Sequence, residues 1–220
     1  MMSEHSALAQ VDALRSSISA LRMLIMQQVS TAGLVSVADI PDFWLALFDD
    51  RHPGLPRPYR DDGEPVLSAT ALLAFLHDID AMVALHVVGL ELDRPLVPGP
   101  DSPILHDWSP VILSGFSDEL ALIGTVSGHP RLRDGRTIVT SNLAALHIDR
   151  NLARTMSRLY ALGDRSNLAK LRGRPDVAIR PGIRQATDTE VRHLMIELRL
   201  RVTEATAYLV GAGLIETENR

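Results

Sequence analysis

Twelve cations fall between residues 129 and 184, among them Arg131, Arg133, Arg136, Arg150, Arg154, Arg158, Arg165, Lys170, Arg172 and Arg174, against only four carboxylates. Arginine is the side chain suited to gripping phosphate or carboxylate, because its planar fork donates two parallel hydrogen bonds. Residues 149–162 are expected to form a helix, with Asp149 as its cap and Gly163 at its stop. On such a helix Arg150, Arg154 and Arg158 lie four apart, opposite the apolar Leu152, Met156, Leu159 and Tyr160. No acidic residue stands three or four positions away to offset their repulsion. The stripe therefore calls for an anion from outside the helix: phosphate, the carboxylates of the chain's own acidic first half, or simply water on a solvated face.

His129, in SGHPRLRDGR, is the one catalytic candidate, with Arg131, Arg133, Asp134, Thr140 and Ser141 as neighbours for a small polar site. A histidine before proline in a turn more often bonds to backbone, and the spacing orients no nucleophile. The other histidines form no metal set: His77 and His86 fall on opposite faces of one expected helix, and His5, His52, His106, His147 and His193 stand alone. HExxH, Walker lysine and GxGxxG patterns are missing, so no cofactor is expected. Residues 141–158 carry a weak helix-turn-helix signal, with a spacing longer than the motif's usual interval and no glycine at the turn.

These residues need elements to position them. A helix over 3–32 is expected, with Ala7, Val11, Leu14, Ile18, Leu21 and Ile25 in 4-3 spacing, Ser3 as cap and Gly33 past the end. A short helix follows near 41–48 with Phe43, Trp44, Leu47 and Phe48, then a Pro-rich, charged loop over 49–65. Ser68 caps a helix to Gly89 with Leu72, Leu73, Leu76, Ile79, Met82 and Val83 on one face. Residues 94–110 hold five prolines and are read as a connector. Strands are expected at 120–125 and 137–140, joined by a turn carrying Asp134-Gly135. Thr187-x-x-Glu190 is a capping box opening a helix to about Ala212, again with 4-3 spacing at Val191, Met195, Leu198, Val202, Ala205 and Leu209.

The chain of 220 residues is 46% hydrophobic, 4% aromatic and without cysteine, at a formal net charge of −5. Such a core rests on aliphatic side chains, and disulfide, thiolate and Cys-based metal chemistry are excluded. The N-terminus lacks a signal-peptide pattern. The longest apolar stretch, TALLAFLHDIDAMVALHVVGLEL, is broken by His77, Asp78, Asp80 and His86, so a soluble cytoplasmic protein without membrane spans is expected.

From Leu122 to Gly163 the segments GHPRLRDG, TSNLAAL and ARTMSRLYALG follow in order. This run resembles a family of short uncharacterised bacterial proteins that carry a GHPxLxDG, TSxL, ARTxSRxYxLG signature. The HDIDAM helix and the approach to Asp107-Trp108 are similar as well, so the resemblance covers about residues 68–165. It implies a family label and no activity.

The expectation is a mainly helical α+β protein: long terminal helices packed with a small antiparallel sheet and a strand-turn-strand-helix unit. Its regions are 1–48 (helical), 66–165 (central α+β) and 166–220 (basic loop and C-terminal helix), which could all be one domain. The leading functional expectation is a non-enzymatic bacterial regulatory or interaction protein. Its basic segment would bind nucleic acid or an acidic protein. Two alternatives stand beside it: a homo-oligomeric adaptor associating through helices 3–32 and 188–212, and a hydrolase or transferase centred on His129.

Overall fold

The computed structural model describes residues 4–92, 97–100, 102–114, 119–174, 179 and 181–216, with backbone alone for residues 4–6. Ser3 lies outside these residues, as do residues 94–96 and 101 of the expected 94–110 connector, whose residues 104–110 are strand and not connector. The chain divides into two compact units, Met1–Val87 with Val202–Arg220, and Val88–Arg201.

The first unit is helical. In α1 (Glu4–Gln28) the spacing that predicts a buried stripe does bury Val11, Leu14, Ile18, Leu21 and Ile25. A short ribbon pairs β1 (Leu34–Ser36) with β2 (Val66–Ser68), flanking α2 (Asp42–Arg51). Trp44 and Phe48 of α2 meet Phe75 of α3 (Ala69–Leu92) edge-on at 6.4 and 5.5 Å between ring centres. Trp44 and Phe48 thus plug the core, whereas Phe43 stays half exposed. Arg22 reaches Asp80 and the Leu76 carbonyl, both at 3.2 Å, tying α1 to α3.

Among the described residues α3 alone is long and apolar enough to cross a membrane by length and composition, so its two aspartates interrupt the apolar run less than the sequence suggests. A third of its most apolar window is buried. Leu72, Phe75, Leu76, Ile79 and Val83 belong to the helical core.

The second unit overturns the expected mainly helical fold with its small antiparallel sheet. It holds a seven-stranded mixed sheet in the order β5-β4-β3-β8-β7-β6, with β9 added on β3. The strands are β3 (Ile104–Leu113), β4 (Glu119–Ser127), β5 (Arg136–Val139), β6 (Leu143–His147), β7 (Leu152–Thr155), β8 (Leu159–Leu162) and β9 (Ile183–Gln185). The short α4 (Leu168–Arg172) precedes β9, and α5 (Asp188–Gly211) closes the chain. β4 and β5 form the expected hairpin, and β3 pairs with β8 in parallel through Ile104↔Ala161 and Leu105↔Leu162.

The expected 149–162 helix is two strands. Residues 148–150 make one 3-10 turn, which Asn151 ends in the left-handed conformation (φ 52°, ψ 47°). β7 and β8 then form a tight hairpin over Met156-Ser157, with the Thr155 amide donating to the Arg158 carbonyl at 2.8 Å. The Thr155 hydroxyl also receives the Arg158 amide at 3.2 Å. The pattern that imitates a helical stripe instead places Leu152, Ala153, Tyr160 and Leu162 in the sheet's core.

The sheet cannot be flat. β5 and β6 lie at opposite ends of the strand order yet are joined by residues 140–142 alone. That link spans at most about 14 Å from Val139 to Leu143, whereas six flat strands would separate their edges by about 24 Å. The sheet therefore curls into an open barrel, and the link is bonded to both sides. The Thr140 amide donates to the Leu122 carbonyl at 2.8 Å and the Met156 amide to the Asn142 carbonyl at 2.8 Å. One core cluster draws on every strand of the curl, from Leu105, Ile112 and Leu122 round to Ile138, Leu146, Ala153 and Leu162, and on Val191, Leu194 and Met195 of α5.

Two features let β3 serve three partners. Asp107 (φ 48°) and Trp108 form a bulge opposite Gly124, between the pairs His106↔Thr125 and Ser109↔Ile123. A Cβ on Gly124 would stand 2.8 Å from the His106 carbonyl oxygen, so only glycine fits. Pro110 is tolerated inside the strand because its partner Leu122 turns both amide and carbonyl towards Thr140, and β4 asks no donor of it.

Candidate anion-binding groove

α5 supplies one wall of the groove, and its first turn is held by the expected capping box. The Glu190 amide donates to the Thr187 hydroxyl at 3.2 Å, and the Glu190 carboxylate accepts from the Thr187 amide at 2.8 Å. Arg184 adds a bond at 2.7 Å. The Thr187 amide, then Arg184 and the Thr187 hydroxyl, lower the Glu190 carboxyl to about 2. With its start fixed, α5 presents Arg192 and Arg199 seven residues apart, hence on one face.

The opposite wall is the 3-10 turn 148–150, and the floor comes from β6 and the first turns of α5. Together they enclose a groove of about 990 Å³ lined by Ile148, Arg150, Arg165, Arg192, Ile196 and Arg199, with Leu146, Val191 and Met195 beneath. Asp149 and Asp188 are its two carboxylates. Arg165 is anchored: its guanidinium bonds Asp188 at 2.6 Å and lies 5.4 Å from the centre of the Trp108 ring. The Arg165 hydrogen bond is the main cause that lowers the Asp188 carboxyl below its ordinary range. Arg150 is exposed and has no ion pair among the described residues. Ile148 and Ile196 are 53% and 61% exposed, an apolar pair open to solvent amid the arginines.

The structure disperses the other predicted cations. Arg150, Arg154 and Arg158 share no helical face, because that helix is absent. Arg154 is 18% exposed and pairs with Glu91 at 3.3 Å, and Arg158 follows the β7–β8 turn. Arg131, Arg133 and Arg136 sit exposed on the β4–β5 loop and the start of β5. Lys170 and Arg174 lie 3.9 and 3.7 Å from Asp107. Arg172 donates to the Ile183 carbonyl at 2.7 Å. Of the ten predicted residues, Arg150 and Arg165 line the groove. Arg192 and Arg199 lie beyond the basic segment and were missed, although their spacing on a predicted helix marks them as sharing a face.

His129 sits in the β4–β5 loop, where its Nδ1 accepts the Arg131 amide at 3.1 Å. Partial burial, then Arg158 and Arg131, hold its pKa below the ordinary imidazole value. Asp134 receives the Gly128 amide at 2.8 Å, and Ser141 bonds Ser157 at 2.8 Å, so the expected polar partners are engaged elsewhere. Among the described residues no group of three His, Asp or Glu side chains could hold a metal ion. No protein-family model, curated protein or solved structure matches the chain.

Proposed function

We propose that this chain is a non-enzymatic regulatory or interaction protein of the cytoplasm that engages an anionic partner through the groove beside α5. One observation carries the reading: Arg150, Arg165, Arg192 and Arg199 converge on one concave surface from three separate parts of the chain. Asp188 is engaged by Arg165, which leaves Asp149 as the remaining counter-charge in the groove. Arg150, and Arg192 through the guanidinium donors left after its Nε bonds the Asp188 carbonyl at 3.4 Å, are the side chains suited to grip carboxylate or phosphate. Nothing described around His129 supplies a nucleophile, and the apolar stripe of α1 is occupied by its own unit's core. The first point favours partner binding over the hydrolase reading, and the second takes α1 away from the adaptor reading.

The test is titration of the purified protein with fluorescent poly-glutamate and with duplex DNA at low salt. Binding of either, weakened about tenfold or more when Arg150 and Arg192 are both replaced by alanine, is expected. Equal affinity in the double variant, or no binding of any polyanion, would overturn the reading.

A further inference from the structure

Taking that groove as the binding surface, we infer that its partner is an acidic amphipathic helix of another protein, lying alongside the first half of α5. The groove presents open aliphatic surface. Ile148 and Ile196, which line it on facing sides, are 53% and 61% exposed, and Leu200, one helical turn past Ile196 and outside the lining, is 58% exposed. Aliphatic side chains left this open beside a concave surface mark a contact site for apolar groups. Arg192 and Arg199 bracket Ile196 at about 10 Å along the α5 axis, from the rise of 1.5 Å per residue. Arg150 stands on the facing wall. A helix that presents one aliphatic stripe, with carboxylates two turns apart at its margins, matches both the floor and the rim.

Other occupants match less well. No Phe, Tyr or Trp lines the groove, whose one aromatic ring is the imidazole of His147, and Arg165 stacks on the Trp108 ring. Nucleic acid would thus find charge with no large stacking platform. A second copy meeting this face by two-fold symmetry would set arginine against arginine.

The experiment uses three probes at low salt: an amphipathic helical peptide of about 18 residues with Leu and Glu stripes, its scrambled isomer, and duplex DNA. Each is titrated into the wild type, Ile196→Ser, and the Arg150→Ala/Arg192→Ala variant. The expected result is tightest binding of the patterned peptide, with helix induced on binding. Its affinity should fall about tenfold in both variants, while DNA binding, if any, ignores Ile196→Ser. Equal binding of the scrambled peptide, tighter binding of DNA, or indifference to Ile196→Ser would overturn the helix assignment alone. Indifference of every probe to the arginine replacements would sink the groove itself. Far-ultraviolet circular dichroism and thermal melting of both variants separate lost binding from lost folding.

Discussion

His86 shows how little a residue type says before its surroundings are known. In sequence it is one of the polar interruptions in an apolar helix; in the fold its Nδ1 lies 3.0 Å from the Thr206 hydroxyl, and burial lowers its pKa. Because the folded value is depressed, the unfolded chain binds more protons between the two values. The contribution of His86 is therefore complete above the unfolded imidazole value near 6.5 and is lost as pH falls through the folded value. Chemical denaturation from pH 7.5 to 5 should show wild-type stability falling with acid, and His86→Asn should flatten part of that fall. Gly124 makes a sharper case. Gly124→Ala would drive a methyl into the His106 carbonyl and Leu105, 2.8 Å away. A backbone neighbour cannot swing aside, so a loss of about 1–3 kcal/mol is expected in urea denaturation.

At the scale of elements, helices and strands differ in how much of their cause is local. The cap of α5 is written in four consecutive residues, and Thr187→Ala should cost about 1 kcal/mol of stability and fray the first turn. Hydrogen exchange at the amides of residues 189–191 would report that fraying directly. The anionic Glu190 works the same way: its contribution is present above the ordinary carboxyl value and lost as pH drops towards about 2. The segment 149–162 has no such local anchor. Its apolar residues satisfy both a helical and a strand reading. The choice falls to strand because β8 finds β3 in parallel more than fifty residues away and β7 finds β6. Intrinsic propensity is a weak term beside the burial of Leu152, Ala153, Tyr160 and Leu162.

At the scale of the whole molecule, charge is segregated by unit. Val88–Arg201 carries sixteen Lys and Arg against thirteen Asp and Glu, whereas Met1–Val87 with Val202–Arg220 carries six against fourteen. The overall charge of −5 hides a sheet unit that is net basic. If the groove binds an anion through exposed guanidiniums, affinity must fall as salt screens them. Raising salt from about 50 to 200 mM should weaken polyanion binding severalfold or more. A salt-independent Kd would show that the arginines contribute no charge attraction.

The sequence by itself determined α1, α2, α3 and α5, because their causes repeat within a turn or two, but not the 149–162 segment, which it read as a helix. The Val11 to Ile25 stripe, the α3 face and the Thr187–Glu190 box each carry their own explanation. It also determined the β4–β5 hairpin, whose turn lies between its strands, and it located the concentration of arginines. Only the tertiary structure decided which arginines meet. Arg154 went to Glu91 and Lys170 to Asp107, while Arg150 and Arg165 joined Arg192 and Arg199 from outside the basic segment. The physical reason is that strand pairing and the curl of the sheet are settled by contacts between residues far apart in the chain. No local pattern in β3, with its bulge at Asp107 and its proline at 110, announces the three neighbours it acquires.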